Sequence, residues 1–536
     1  MPTDPHFLPF PSRRMPAVGH RSMVATSQPQ AAQAGLQILQ AGGNAVDAAI
    51  AAAAALTVTE PTSNGIGGDA FAIAWVDGAL HGLNGSGPAP AALTVDAVRA
   101  RGHSRMPDHG LLPVTVPGAP ASWAALSRRL GRLPFRQLLQ PAISLARAGF
   151  AVSPVTSQLW ARAAVKYGRY DEPEFRPWFD HFAPAGCAPA AGEVWRSEVL
   201  ASTLERLADS ESADFYQGQL AQQLDAFMRE HGGLLRAEDL HDYAPEWVTP
   251  LSQDYQGHTV WELPPNGSGL IALQALGMLE SLNHRALTDP VEQLHQRIEA
   301  LKLAFADGLH YITERDDMPV STDALLAADY LAERARLIGH EALEPGWGQP
   351  RLGGTVYLAT ADEDGNMVSF IQSNFEGFGS GMVVPGTGIS LQNRGQSFSL
   401  DAQATNQLAP GRRPYHTIIP GFLTRDGAPV GPFGVMGGDM QPQGHLQVVT
   451  AMLNEGLNPQ AALDQPRWKW TSGRTVEVEP HFPDHLAQAL ARRGHDVRKQ
   501  TSSLSFGRGQ IILRQPELGS YLAGSEPRAD GLALPW

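Results

Sequence analysis

A single cysteine, Cys187, is the only thiol in a chain of 536 residues. An intramolecular disulfide needs two, and a cysteine-based metal site needs several, so both are excluded. Cys187 sits in Ala185-Gly-Cys-Ala-Pro189, a loop-like context that fits an incidental thiol. An excess of basic charge is also missing. The formal net charge is −14, and nucleic acid or an anionic membrane would call for clustered Lys and Arg. No run of about 18 apolar residues occurs; the Ala-rich stretch 45–57 is too short and too weakly apolar. Residues 1–11 lack a basic region followed by an apolar core, so no secretory signal is read there. The expectation is a cytoplasmic protein without a membrane partner. There is no HExxH, no glycine fingerprint after a strand and no phosphate-binding loop of the Walker type, so no cofactor and no metal are expected. Histidines such as His231, His241 and His295 are read as surface or packing residues.

What the chain does have is core-forming material. Hydrophobic residues make up 43% and charged residues 18%, a balance that builds a large interior and argues against disorder. Residues 28–41 have helical spacing and stop at Gly42-Gly43, a C-terminal cap signal. A second, Ala-rich helix is expected over 45–57. Residues 71–75 alternate as a strand, and Asp77-Gly78 turns them into another. The stretch 120–345 reads as mostly helical, with 295–311 placing Ile298, Leu301, Phe305 and Leu309 on one face. Pro264-Pro-Asn-Gly-Ser-Gly269 is a glycine-rich start to a helix over 270–282; such a start can cradle an anion, but a plain helix start is the preferred reading.

After residue 350 strands dominate. Residues 355–361 and 367–373 flank Asp364-Gly365, a hairpin signal. Further strands fit 417–423 and 429–435, joined at Arg425-Asp-Gly427, then 475–478 and 509–513. Helices fit 443–457 and 482–493. Sheets covered by helices on their outer faces predict a layered αββα arrangement.

Residues 353–381 concentrate the chemistry. A threonine opens a strand, a tight turn and second strand follow, and a glycine-rich segment closes the stretch. With Gly42-Gly-Asn-Ala-Val-Asp-Ala-Ala49, Gly65-Ile-Gly-Gly-Asp69, Glu299-Ala-Leu-Lys-Leu-Ala-Phe-Ala-Asp307, Gly354-Thr355, Phe378-Gly-Ser-Gly381, Met436-Gly-Gly438 and Gly524-Ser-Glu-Pro-Arg-Ala-Asp-Gly531, the chain resembles the gamma-glutamyltransferase (glutathione hydrolase) family of N-terminal nucleophile hydrolases. The resemblance runs nearly end to end.

That resemblance implies a four-layer αββα sandwich and a precursor that cuts itself between Gly354 and Thr355. A large fragment, 1–354, and a small fragment, 355–536, would then stay associated in one fold; a homodimer is compatible with this. Thr355 would become the nucleophile. A threonine hydroxyl needs a base, and the freed α-amine, with a pKa near about 7.7–8.0, suits that task. Gly437 and Gly438 match the family's oxyanion-hole glycines, and Ser373 matches its second hydroxyl residue.

The substrate anchors depart from the family pattern. Asn84 stands where an Arg would grip an α-carboxylate, and His416 and Thr417 replace a pair of serines. Phe375, next to Asn374, replaces an Asn, while Arg394 and Ser397 fall in the run that would supply the Asp for the substrate ammonium. Losing one partner of a buried charge pair costs roughly 2–5 kcal/mol. Asn84, Asn374, Phe375, Arg394, Ser397, His416 and Thr417 therefore outline an altered substrate pocket, suited to an acyl group with an anion and no amine. The stretch 398–412 is shorter than in members with a lid loop, which predicts an open site favouring hydrolysis. The substrate expected is a small-molecule amide. The alternatives are a true glutathione hydrolase or γ-glutamyl transferase with rearranged anchors, and a non-catalytic binding protein that keeps the fold.

Overall fold

The computed structural model describes residues 14–345 and 354–536. The segment read for a signal, 1–11, and Gly353 lie outside the described residues. Strand Gly354–Ala361 pairs antiparallel with Met367–Phe375, and the turn between them uses Gly365 at φ +85°, a conformation that glycine adopts without a Cβ penalty. These two strands occupy the middle of a seven-stranded sheet. Met23–Thr26 and Leu532–Pro535 extend it on one side, and Asp69–Val76, Ala79–Gly85 and Glu246–Val248 on the other. The order interleaves chain from before and after Gly354.

Side-chain alternation along these strands builds the layers. Val356, Leu358, Val368 and Phe370 face one way, into a helical layer headed by Ala45–Thr59. Tyr357, Ala359, Met367 and Ile371 face the other way and meet Phe422, Met436 and Ile512 of a second sheet. That sheet also has seven strands, in the order Ala17–Gly19, Ser520–Ser525, Arg508–Gln515, Ala428–Met436, Gly421–Arg425, His258–Glu262 and Leu251–Tyr255. Its outer face carries Leu423, Phe433, Val435 and Ile511 into a second helical layer that includes Gly269–Ser281, Pro290–Tyr311 and Met440–Leu453. The result is the expected four-layer αββα sandwich. No helix among the described residues is long and apolar enough to cross a membrane.

Two glycine motifs of the sequence serve this packing. Helix Ala45–Thr59 is buried along its whole length and starts in a capping box: the Asn44 side chain accepts from the Asp47 N–H at 3.0 Å, and Asp47 accepts from the Asn44 N–H at 3.1 Å. At Gly67 and Gly68 an added Cβ would collide with the backbone carbonyls of Ser390 and Ser373. The Gly65–Asp69 turn therefore presses directly on the end of the strand that carries Ser373.

Two expectations change. The middle of the chain contains a hairpin, Leu251–Tyr255 with His258–Glu262, that pairs with Gly421–Arg425. Its first strand lies at the sheet edge and alternates polar residues toward solvent, which hides it among helical neighbours. The strand expected from residue 417 begins only at Gly421, because residues 417–420 leave the ladder to build the site.

Candidate active site

Thr355 lies in a β-bulge. Gly354 pairs with Phe375 and Val356 with Gln372, so the register slips at the threonine between them. Bulges re-aim a side chain out of the regular pleat, and Phe375 opposite takes φ +76°. The Thr355 side chain is 1% exposed. Its Oγ1 is 3.1 Å from Ser373 Oγ, while Ser373 Oγ donates to the Gly354 carbonyl at 2.8 Å and accepts from the Phe375 N–H at 2.8 Å. A hydroxyl has one proton to give and two lone pairs, so with its proton on Gly354 the Ser373 oxygen accepts the hydrogen of Thr355. The bonds run from Thr355 through Ser373 to the carbonyl of the preceding peptide.

Gly437 and Gly438 follow strand Ala428–Met436 and precede helix Met440–Leu453 at φ +135° and +61°. They bring backbone N–H groups to a helix N-terminus, where the macrodipole favours negative charge. Gln441, in the first turn of that helix, reaches Thr355 Oγ1 at 3.5 Å and accepts from the Ile419 N–H at 3.0 Å. Composition and spacing gave no signal for Gln441; only the helix geometry aims it.

A cavity of about 520 Å³ opens beside this network, lined in part by Phe375, Ser397, Tyr415, Thr417 and Asp439. Arg394 stands behind Phe375 and Thr417, fully buried and itself not among the cavity-lining residues. Its guanidinium lies 4.3 Å from the centre of the Phe375 ring, a cation–π arrangement, and its Nη1 donates to Thr417 Oγ1 at 2.8 Å. Its Nε and Nη2 have no hydrogen-bond partner among the described residues. Burial pulls its pKa down to about 10, against the opposing pull of Asp69 and Asp439. The short loop after Phe398 is less open than expected: Ser399, Asp401 and residues 403–406 form a wall of the cavity.

The other expected anchors sit in the surrounding packing. Asn84 donates to Asn266 Oδ1 at 2.9 Å and accepts from the Ser86 hydroxyl at 2.7 Å, and it is not among the cavity-lining residues. Asn374 donates to Ser390 Oγ at 2.9 Å. His416 bonds Asp69 Oδ2 through Nε2 at 2.8 Å, both side chains being fully buried. Burial lowers the His416 pKa, and Arg394 adds to the effect, so the ring is neutral. Burial raises Asp69 to about 7, opposed by Arg394 and the Gln392 amide. The glycine-rich helix start at 264–269 supports this cluster: Asn266 donates to the Pro414 carbonyl at 2.8 Å, and the Ser268 N–H to that of His416 at 2.9 Å.

His295, Glu299 and His495 form a separate buried group whose ligand atoms lie within 4.8 Å of one another. These groups bond to one another and to their neighbours, and His495 Nδ1 is left without a hydrogen-bond partner among the described residues. His295 Nδ1 and His495 Nε2 are 2.9 Å apart, His295 Nε2 meets the Gly339 carbonyl at 3.0 Å, and Lys302 Nζ donates to Glu299 at 2.8 Å. His295, expected at the surface or in packing, is fully buried.

A four-layer αββα sandwich with a buried threonine opening a central strand beside a second hydroxyl is the architecture of the N-terminal nucleophile hydrolases. The sequence pattern of the family described as Gamma-glutamyltranspeptidase matches residues 31–536, and the chain belongs to that family. The chain is 34% identical over 533 residues to the glutathione hydrolase-like YwrD proenzyme of Bacillus subtilis, covering 96% of this chain and 99% of the relative. It is 35% identical over 533 residues to the oxamate amidohydrolase proenzyme of Klebsiella pneumoniae, covering 96% and 98%. Among solved structures, the cephalosporin acylase from Bacillus halodurans superposes with a TM-score of 0.96 at 55% identity, over 100% of this chain and 99% of that one. These relatives share the family and differ in the amides their names specify.

Proposed function

We propose that this protein is a self-processing amide hydrolase in which Thr355 first cleaves the Gly354–Thr355 peptide and then serves as the catalytic nucleophile. The observation that carries this is the Thr355–Ser373–Gly354 chain of hydrogen bonds. In self-cleavage Thr355 Oγ1 bonds to the Gly354 carbonyl carbon. Its proton passes to Ser373 as Ser373 gives its own to the carbonyl oxygen. The tetrahedral centre then collapses with loss of the C–N bond, the proton moves to the departing nitrogen, and water hydrolyses the resulting ester. Residues 355–536 are left with a free α-amine beside the hydroxyl.

In turnover that amine takes the Thr355 proton, Oγ1 attacks the substrate amide, and charge on the carbonyl oxygen falls to the N–H groups of Gly437 and Gly438. The amine leaves with the proton and water releases the acid. The 34–35% identity to proenzymes named for glutathione hydrolysis and oxamate amide hydrolysis supports this chemistry.

Arg394 supports an acyl group that carries a carboxylate. A buried guanidinium with two unsatisfied nitrogens gains most from an anion that supplies charge-assisted hydrogen bonds. A second reading has a specific observation behind it: Asp439, 3% exposed, lines the same cavity, so a γ-glutamyl group could set its ammonium there. Parallel assays of the cleaved protein with glutaryl and γ-glutamyl anilides separate the two. Turnover of the glutaryl compound is expected; turnover of the γ-glutamyl compound alone replaces the first reading with the second. A chain that remains intact at Gly354–Thr355 by mass spectrometry refutes both.

A further inference from the structure

Helix Met440–Leu453 carries two buried glutamines near its start, Gln441 and Gln443, and they do different things. Gln443 bonds only to backbone. Its Nε2 donates to the carbonyls of Asp439 and Trp470, both at 3.1 Å, and its Oε1 accepts from the Trp470 N–H at 2.8 Å. These bonds fasten the helix to strand Trp468–Ser472, which is a packing role. Gln441 sends one end of its amide to backbone and the other to Thr355.

A backbone N–H can only donate, so the end of the Gln441 amide that meets Ile419 at 3.0 Å is the oxygen. The NH2 group is thereby fixed as the end that faces Thr355 Oγ1 at 3.5 Å. Donors at a reacting atom stand off in the resting protein and close in during reaction. Gln441 is fully buried and Thr355 is 1% exposed, and a hydrogen bond in such surroundings is stronger than in water. The aim of the side chain is set from two sides. Its own backbone N–H returns to the Gly438 carbonyl at 3.0 Å, so the amide rides on the turn that carries Gly437 and Gly438. Ile419 belongs to the stretch 417–420, whose Thr417 takes the bond from Arg394 and lines the cavity. Gln441 therefore ties the Thr355 hydroxyl to the wall of that cavity.

We propose that Gln441 is a catalytic residue whose amide N–H donates to Thr355 Oγ1 in the steps that place charge on that oxygen. The inference rests on the assignment of Thr355 as nucleophile. With Gln441 giving a hydrogen to Oγ1, the threonine's own proton points elsewhere, toward Ser373 in the precursor and toward the α-amine after cleavage. As that proton leaves, the Gln441 N–H holds the oxygen's growing charge. The same bond serves when the acyl ester is hydrolysed. Water adds to the ester carbonyl and passes a proton to the amine. The C–Oγ1 bond then breaks, its electron pair stays on Oγ1 beside the Gln441 N–H, and the ammonium returns the proton to Oγ1 as the acid departs.

The test follows self-cleavage by intact mass, over time after synthesis, for the parent chain, Gln441→Glu and Gln441→Met. Glutamate keeps an acceptor for the Ile419 N–H and sets a carboxylate oxygen against Thr355 in place of the donor. Methionine fills the space and makes neither bond. Cleavage is expected to slow by about tenfold in Gln441→Met, as for loss of one hydrogen bond, and by about 100-fold or more in Gln441→Glu. The Gln441→Glu rate should fall further as pH rises, because only the protonated carboxyl can donate. A role limited to anchoring Ile419 gives the reverse order, with Gln441→Glu near the parental rate, and that order overturns the proposal. If Gln441→Met fails to fold, Gln441→Glu decides alone, since it retains the anchor. A parent chain that stays intact removes the Thr355 reading and this role together; a parent that cleaves while Gln441→Glu keeps pace with it removes this role alone.

Discussion

Ser373 Oγ donates to the carbonyl oxygen of Gly354 at 2.8 Å while standing 3.1 Å from the hydroxyl of Thr355. One serine therefore touches both the attacking oxygen and the oxygen on which charge develops. Removing a donor of this kind costs about 2.7–4 kcal/mol in an acyl-transfer step. Ser373→Ala is expected to slow self-cleavage by about 100-fold or more, and Thr355→Ala to abolish it. Intact-mass measurement over time after synthesis reads both. Cleavage of Ser373→Ala at the parental rate would remove the serine from the mechanism.

Arg394 yields a prediction about selectivity. The Arg394→Met variant puts an unbranched apolar side chain behind Phe375 in place of the guanidinium that lies on its ring, and removes the charge. For a glutaryl anilide kcat/KM is expected to drop by roughly 30-fold or more, corresponding to about 2–5 kcal/mol for a desolvated charge partner. A valeryl anilide, with the same five carbons and no carboxylate, should lose far less. Equal losses on both compounds would show that Arg394 shapes the pocket without binding an anion.

The four layers and the hairpin that carries Thr355 were legible in the sequence, whereas the partnerships around that residue were not. Hairpins announced by Asp77-Gly78 and Asp364-Gly365 appear where expected, because turn chemistry and two-residue alternation are local signals. The edge hairpin from Leu251 was missed because its solvent-facing polar residues break the apolar pattern. Family positions pointed to Thr355 and Ser373, whose hydroxyls the structure places 3.1 Å apart, but not to the pairing of Asp69 with His416 across 347 positions of chain. Gln441, Tyr415 and Asp439 escaped for a similar reason: each reaches the site through the placement of a helix or loop, which no local spacing encodes.

Asp69 gives the site a pH signature. It is fully buried opposite Ser373 in the sheet, and its folded pKa, pushed up by burial to about 7, exceeds its ordinary value of 3.8. Between these values the folded state binds more protons than the unfolded state, so stability falls as pH rises. The slope contributed is at most about 1.4 kcal/mol per pH unit. Measured in a Thr355→Ala background, where the chain stays in one piece, denaturant unfolding between pH 4 and 7 should show this slope, and adding Asp69→Asn should flatten it. An identical slope with and without Asp69 would mean that the carboxylate is ionised throughout.

The terminal motif Gly524–Gly531 acts on the site from a distance through a buried ion cluster. Glu526 accepts from Arg467 Nη2 at 2.8 Å, from Arg528 Nη1 at 2.6 Å and from the Gly509 N–H at 2.8 Å. Burial raises the Glu526 carboxyl, but Arg467 and Arg528 outweigh it and hold the group below its usual range. Arg467 also donates to the Phe506 and Gly507 carbonyls at 3.0 and 2.8 Å, and Gly507 packs against Gly437, its Cα 3.2 Å from where a Gly437 Cβ would stand. The cluster thus fixes the backbone behind Gly437, the glycine proposed to form part of the oxyanion hole. Glu526→Gln leaves two buried guanidiniums without their shared carboxylate, which costs about 3–5 kcal/mol. Thermal unfolding of the variant is expected several degrees below the parent, with a lower kcat on any anilide that the parent turns over. A variant as stable as the parent would show that Glu479 alone neutralises the pair.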